Sequence, residues 1–189
     1  ELDVLQSQIN PHFLYNTLDS ITWMIEGGKN EEASFMITQL AKLFRISLSK
    51  GHTIIPVRDE LLHAKSYMNI QKVRYKNKFE VSFEVDEEIM DYCAVKLVLQ
   101  PILENALNYG IRELDDFGEI VVGGQKVGED IIITVSDNGM GIPENEIPFL
   151  LTNTDRVHKK GSGVGLVNVN NRIKILFGER YGLHIESEL

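Results

Sequence analysis

The chain has 189 residues, 43% apolar and 25% charged, an ordinary globular composition that suits one mid-sized domain or two small ones. Its 19 Lys and Arg against 28 Asp and Glu leave a formal charge of −9, which argues against nucleic acid, a ligand bound by neutralising phosphates. The lone Cys93 excludes a disulfide framework and a cysteine-based zinc site, and no apolar run approaches the roughly 20 residues needed to span a bilayer.

Leu2, Leu5, Ile9 and Phe13 fall on one helical face, and Leu14, Leu18, Ile21 and Ile25 form a second stripe. Pro11 has no N–H, so Asn10-Pro11 either opens a helix as N-cap and first residue or kinks one that runs through. His12 sits at that irregularity, with Asn16 one turn along the same face; a histidine in such a place is, taken alone, more often structural than reactive. Gly27-Gly28 stops the helix, and Asn30 ahead of Glu31 and Glu32 can cap the next one. Met36, Leu40, Leu43 and Ser47 continue at helical spacing until Gly51. The resulting αα-hairpin cannot bury two apolar stripes by itself, whereas a dimeric four-helix bundle would. A third helix is expected from Asp59 to about Tyr75, ending in Lys76-Asn77-Lys78.

There the period changes to two. Phe79, Val81, Phe83 and Val85 alternate with Glu80, Ser82 and Glu84 as in a half-buried strand. Val95, Val98, Leu99, Ile102, Leu103 and Ala106 then define an amphipathic helix. Strands follow around 120–125 and 131–136, joined through Gly128, and a glycine-rich stretch leads to a last helix with Leu166, Val169, Ile173 and Leu176 inward. Leu183–Ser187 reads as a final strand. The pattern is α+β, a mixed sheet with helices on one face, and divides the chain into 1–76, a helical dimerisation unit, and 77–189.

Four segments could carry chemistry. The first is Gln8–Asn16, containing His12. In the second, Gln100–Gly110, helical spacing puts Glu104, Asn105 and Asn108 in one arc, with acceptors for a phosphate-bound Mg²⁺, an ion that takes few protein ligands. An ordinary solvated helix face would look the same. The third, Asp137-Asn138-Gly139-Met140-Gly141, places a carboxylate at a strand end beside a tight turn, suited to a base or ribose close to the main chain, though also to a plain Asn-Gly turn. The fourth, Gly161-Ser162-Gly163-Val164-Gly165-Leu166, opens a helix whose free N–H groups suit phosphate oxygens. It is neither a Walker A nor a dinucleotide fingerprint. Between the last two lie Arg156, His158, Lys159 and Lys160, a basic stretch that reads as a lid over nucleotide. Their order supplies metal ligand, base acceptor and phosphate cradle in turn.

Together these motifs resemble the N box (Glu104-Asn105), G1 box (Asp137–Gly141) and G2 box (Gly161–Leu166) of the GHKL ATPases, and Asn10–Asn16 resembles the phosphoacceptor box of LytS/YesM-type sensor histidine kinases. Val169–Ile173 and Phe177-Gly178 match that family as well. The resemblance implies a helical hairpin forming a dimeric four-helix bundle, followed by a Bergerat-type α/β sandwich that binds ATP. It makes His12 the autophosphorylated nucleophile, Asn105 the Mg²⁺ ligand and Asp137 the acceptor for the adenine amino group. Gly139 and Gly141 let the backbone approach the nucleotide; Gly161, Gly163 and Gly165 cradle phosphate. Asn108, Tyr109, Lys160, Val164 and Leu166 complete the nucleotide-contacting set. Asn16 would orient the His12 ring, and Glu104 would take a proton or place a water. Tyr109 stands where the family usually has His, and the strand that normally carries Gly-x-Thr is missing. The implied protein is a homodimer that passes phosphate to an Asp of a response regulator. This chain is then the cytoplasmic core of a bacterial plasma-membrane receptor, attached to the membrane only through upstream segments, and the kink at Pro11 is a candidate switch point. The alternatives are a GHKL ATPase, or a degenerate nucleotide-binding signalling dimer, that does not use His12.

Overall fold

The computed structural model describes residues 10–48, 52–111, 116–152 and 163–188. Helix α1 spans Pro11–Glu26. Asn10 is extended (φ −69°, ψ 109°), and its side chain accepts hydrogen bonds from the backbone N–H groups of His12 and Phe13 at 3.1 and 3.4 Å. Pro11 therefore opens the helix and does not kink one, since its missing N–H falls where no helical partner exists. The stripe expected ahead of it, from Leu2 to Ile9, lies outside the described residues. The buried face of α1 takes Phe13 from the first stripe, Ile21 from the second and Thr17 between them, while Leu18 and Ile25 of the second stripe are 45% and 54% exposed.

Gly28, at φ +75°, turns the chain into α2, Asn30–Ser47. Asn30 is its first helical residue and not its cap; Lys29 takes the cap position without a side-chain hydrogen bond. The expected stop at Gly51 falls outside the described residues. Strand β1 (Ile54–Pro56) leads directly into α3, Val57–Arg74, which starts earlier than its periodicity suggests because Pro56 supplies an extended entry. Helix α3 is buried on nearly every side: Val57, Leu61, Ala64, Tyr67, Met68 and Ile70 join the core together with the polar Glu60, His63, Ser66 and Gln71. It packs on α2 and also on the elements that follow it.

After a turn in which Lys76 and Asn77 adopt φ 52° and 55°, β2 (Phe79–Val85) runs parallel to β4 (Gly118–Val127), and β4 runs antiparallel to β5 (Asp130–Asp137). The sheet order is β2–β4–β5, with Phe79 opposite Gly118 and Ile120 opposite Asp137. Strand β3 (Cys93–Val95) pairs with β1, joining segments on the two sides of residue 76. Residue 95 is thus strand, not helix; α4 begins at Leu99, runs to Asn105, and continues as a wider helical coil over Ala106–Ile111. Helix α5 spans Gly163–Phe177 and buries Leu166, Val167 and Val169, whereas Leu176 is 37% exposed. Leu183–Ser187 forms no ladder among the described residues. It is tied instead by the Leu183 N–H to Asn170 Oδ1 at 2.9 Å and by Ser187 Oγ accepting the Ile142 N–H at 2.8 Å. One core runs from Phe13 through α3 to Val122.

Within that core His63 is fully buried, with Nε2 3.0 Å from Ser47 Oγ and Nδ1 without a partner. Burial, reinforced by Lys96, lowers its pKa from 6.5 to about 4. The unfolded state therefore binds the extra proton between those values. Stability is full above pH 6.5 and falls as pH drops towards 4, by about 3 kcal/mol. Urea unfolding at pH 7 and 4.5 should show that loss, and His63→Leu should flatten this part of the profile. An unchanged pH slope in the variant would assign the loss to other groups.

Candidate functional site

His12 is exposed on the first turn of α1. Asn16 Nδ2 lies 3.1 Å from its Nδ1 and 3.2 Å from its Nε2, so the amide faces the ring edge between the two nitrogens. A neutral imidazole has one bare nitrogen, and the amide can donate to it in either tautomer. Among the described residues Asn16 is the only side-chain hydrogen-bond partner of the ring. The next residue does the opposite: Phe13 is 5% exposed, its ring centroid 5.2 Å from that of Tyr67 on α3 and 5.9 Å from the Arg74 guanidinium carbon. Phe13 anchors the helix that presents His12.

The remaining predicted residues gather where α4, the end of β5 and the start of α5 meet. Asp137 closes β5, and its Oδ1 accepts the Gly139 N–H at 2.9 Å. It is accessible, yet enough protein surrounds the carboxyl to push its pKa up, against the pull of that N–H. Asn138 Oδ1 accepts the Glu119 N–H at 2.7 Å and its Nδ2 donates to Phe117 O at 3.1 Å, pinning the turn to β4. Gly141 has φ +72°, a conformation that side chains disfavour.

Sequence reasoning missed Gly110. A Cβ there would lie 2.4 Å from Asp137 Oδ1, and a Cβ on Gly139 would lie 2.3 Å from Gly110 Cα. The two glycines and the carboxylate share a space that one methyl group would fill. The available signal was a glycine inside a helix, which costs about 1 kcal/mol relative to alanine and asks for a reason.

Helix α4 departs from the expected regular coil. From Ala106 its turns widen, so the arc that grouped Glu104, Asn105 and Asn108 no longer holds. Glu104 and Asn105 are half-buried; Asn108 and Tyr109 are exposed. Glu104 accepts from Gln100 Nε2 at 2.8 Å, and its charge helps raise the pKa of the Tyr67 hydroxyl, after the larger effect of burial. Tyr67 in turn accepts from Gln71 Nε2 at 2.6 Å.

Lys160 and Gly161 lie outside the described residues, as do Arg156, His158 and Lys159 of the basic stretch expected to be a lid. Gly163 opens α5, and nothing is assigned to the Val164 side chain. A Cβ on Gly165 would lie 3.4 Å from Pro101 Cβ, so the start of α5 lies against α4, and Leu166 is 5% exposed. Among the described residues no group of three His, Cys, Asp or Glu side chains could hold a metal ion, and no helix is long and apolar enough to cross a membrane.

Residues 1–79 match the family model described as histidine kinase, and residues 90–188 match that of the histidine kinase-, DNA gyrase B-, and HSP90-like ATPases. The chain belongs to this ATPase family, and its first 79 residues are similar to the histidine kinase model. It is similar along its length to sensor histidine kinases: 37% identical over 188 residues to YesM of Bacillus subtilis, covering 100% of this chain and 31% of that protein. The sensor protein LytS of Bacillus cereus is 34% identical over 190 residues (100% and 32%), and the sensor histidine kinase YpdA of Escherichia coli 34% over 186 (98% and 32%). The chain spans about a third of the length of these relatives.

Proposed function

We propose that this chain is the ATP-dependent, self-phosphorylating core of a two-component sensor kinase, with His12 as the phosphoacceptor. The observation that carries the reading is His12 itself: exposed, faced by the Asn16 amide, and presented by a helix anchored through the adjacent Phe13. The family membership and the Gly110–Asp137–Gly139 cleft support ATP as the phosphoryl donor. Asp137 accepts a hydrogen bond from the adenine amino group, and the glycines at the start of α5 receive phosphate oxygens. Asn105, beside Glu104, is the protein ligand of a metal held mainly by substrate phosphates. Mg²⁺, when bound, neutralises phosphate charge.

In the reaction the unprotonated ring nitrogen of His12 forms the N–P bond while the bond from the γ-phosphorus to the bridging oxygen breaks, leaving its electron pair on ADP. The other ring nitrogen releases its proton to water. Asn16 orients the ring, and the rest of the acceleration comes from placing donor and acceptor in line. His12 stands on α1 and the Gly110–Asp137–Gly139 cleft on α4 and the end of β5, so the reaction requires these elements to bring acceptor and donor together. A second copy of the chain covers the exposed Leu18, Ile25, Ile37 and Leu48 of the hairpin, and an Asp of a response regulator receives the phosphoryl group. The whole protein is a membrane-anchored receptor.

Incubation with γ-labelled ATP and Mg²⁺ tests this. The chain should acquire label that is lost in acid and kept in base, as a phosphoimidazole requires. ADP release without protein label would make it an ATPase that does not use His12; nucleotide binding with neither would make it a signalling dimer without catalysis.

A further inference from the structure

Helix α4 carries Asn105 but supplies no cap for its own N-terminus: Val98, at the cap position, makes no side-chain hydrogen bond. The free N–H groups are met from another element. Glu60 of α3, fully buried, accepts the Leu97 N–H on Oε2 at 2.7 Å and the Val98 and Leu99 N–H groups on Oε1 at 2.8 and 2.9 Å. From the opposite side Arg172 of α5 donates to the carbonyls of Lys96 at 2.5 Å and Leu97 at 3.4 Å. Leu97 has φ +59°, a left-handed conformation costly for a branched side chain. Such a residue persists only where its surroundings fix it, and here its N–H is held by one helix and its C=O by another. Val95 and Val98 bury against Val169 beside this clamp.

We propose that Glu60 and Arg172 are positioning residues for the nucleotide site, fixing α4 in register with α5 so that Asn105 and the phosphate-receiving start of α5 face the same phosphates. The inference rests on the ATP reading above. Asn105 lies six residues beyond Leu99 and Gly163 nine before Arg172, roughly 9 and 13 Å of helix, so a small tilt at the clamp separates the two ends. A buried ionic group is a poor source of net stability, and its best attested use is to set register. Neither residue reaches the reacting atoms; both act through the peptide groups of 96–99.

The discriminating measurement is ADP binding by the whole 189-residue chain in Mg²⁺ and in EDTA, for the unsubstituted protein, Glu60→Gln, Arg172→Met and the double variant, each with a melting curve. Mg²⁺ should tighten ADP binding to the unsubstituted chain. In either single variant Mg²⁺-dependent affinity should fall about tenfold with a much smaller change in EDTA, as expected for loss of a charge-assisted hydrogen bond acting through Asn105. Arg172→Lys, which keeps one donor, should recover part of the loss. The double variant should lose no more than the weaker single one, since both residues hold one turn. A merely structural role would lower both affinities in proportion to the unfolded fraction. If Glu60→Gln does not fold, Arg172→Met decides, because Arg172 is only partly buried. ADP binding with an unchanged Mg²⁺ ratio in the folded variants overturns this inference alone. Absence of ADP binding by the unsubstituted chain overturns the nucleotide reading and this inference with it.

Discussion

His12→Gln is expected to abolish incorporation of acid-labile label from γ-labelled ATP, by about a thousandfold or more, while leaving ADP affinity unchanged. The substitution removes the proposed nucleophile and nothing else the described structure depends on. His12 is exposed, its only side-chain hydrogen bond among the described residues is to Asn16, and the buried anchor of that turn is Phe13. The start of α1 is held by Asn10 through backbone N–H groups that the Gln variant retains. Asn16→Ala separates orientation from chemistry. It should slow labelling by about tenfold, the scale of one lost hydrogen bond, without abolishing it. Label that persists at full level in His12→Gln would place the phosphoacceptor elsewhere and end the kinase reading for this residue.

The second large effect is expected at a residue with no side chain. Gly110→Ala should weaken ATP binding by about 30- to 100-fold, close to the loss in Asp137→Ala, while the chain stays folded. The added Cβ would stand 2.4 Å from Asp137 Oδ1, at a distance no real Cβ tolerates, so the carboxylate must leave the position it shares with the Gly139 N–H. Alanine is otherwise the better helix former by about 1 kcal/mol, so the expected loss is of affinity and not of fold. The double variant should bind no worse than either single one, because both remove the same acceptor from the same place. Isothermal titration of the three proteins checks this; an unchanged affinity in Gly110→Ala would remove it from the site.

Much of this was written in local spacing. The alternation from Phe79 to Val85 and the strands on either side of Gly128 appear as β2, β4 and β5, because a half-buried strand displays its two faces in the sequence itself. The stop of α1 followed from Gly27-Gly28, whose backbone preferences are intrinsic, and Asn10-Pro11 opens it, one of the two roles that the sequence allowed. Other features were hidden for an identifiable reason. Strand β3 is three residues long and reads as the first turn of the helix after it; only its pairing with β1 makes it a strand. Ile21 of the second apolar stripe of α1 is buried while Leu18 and Ile25 stay exposed in the single chain, a split that helical spacing alone does not show. Glu60 carries no local signal, since nothing near it in sequence announces that residues 97–99 need a cap.

The sequence by itself determined which family's motifs this chain carries. A histidine beside Asn10-Pro11, an Asn-bearing helix, an Asp-x-Gly-x-Gly strand end and a glycine-rich helix start, in that order, pointed to the family before any coordinates. Residue types and short spacings decide which groups can attack, accept or cradle, so motifs carry that information. The tertiary structure alone decided how the groups are held. It placed Gly110 against Asp137 across 27 positions of chain, widened the helix that carries Gly110, and set Glu60 and Arg172 on the N–H and C=O of Leu97. Those relations depend on close packing between distant segments, where one methyl group or one unmet N–H settles the outcome, and no local pattern encodes them.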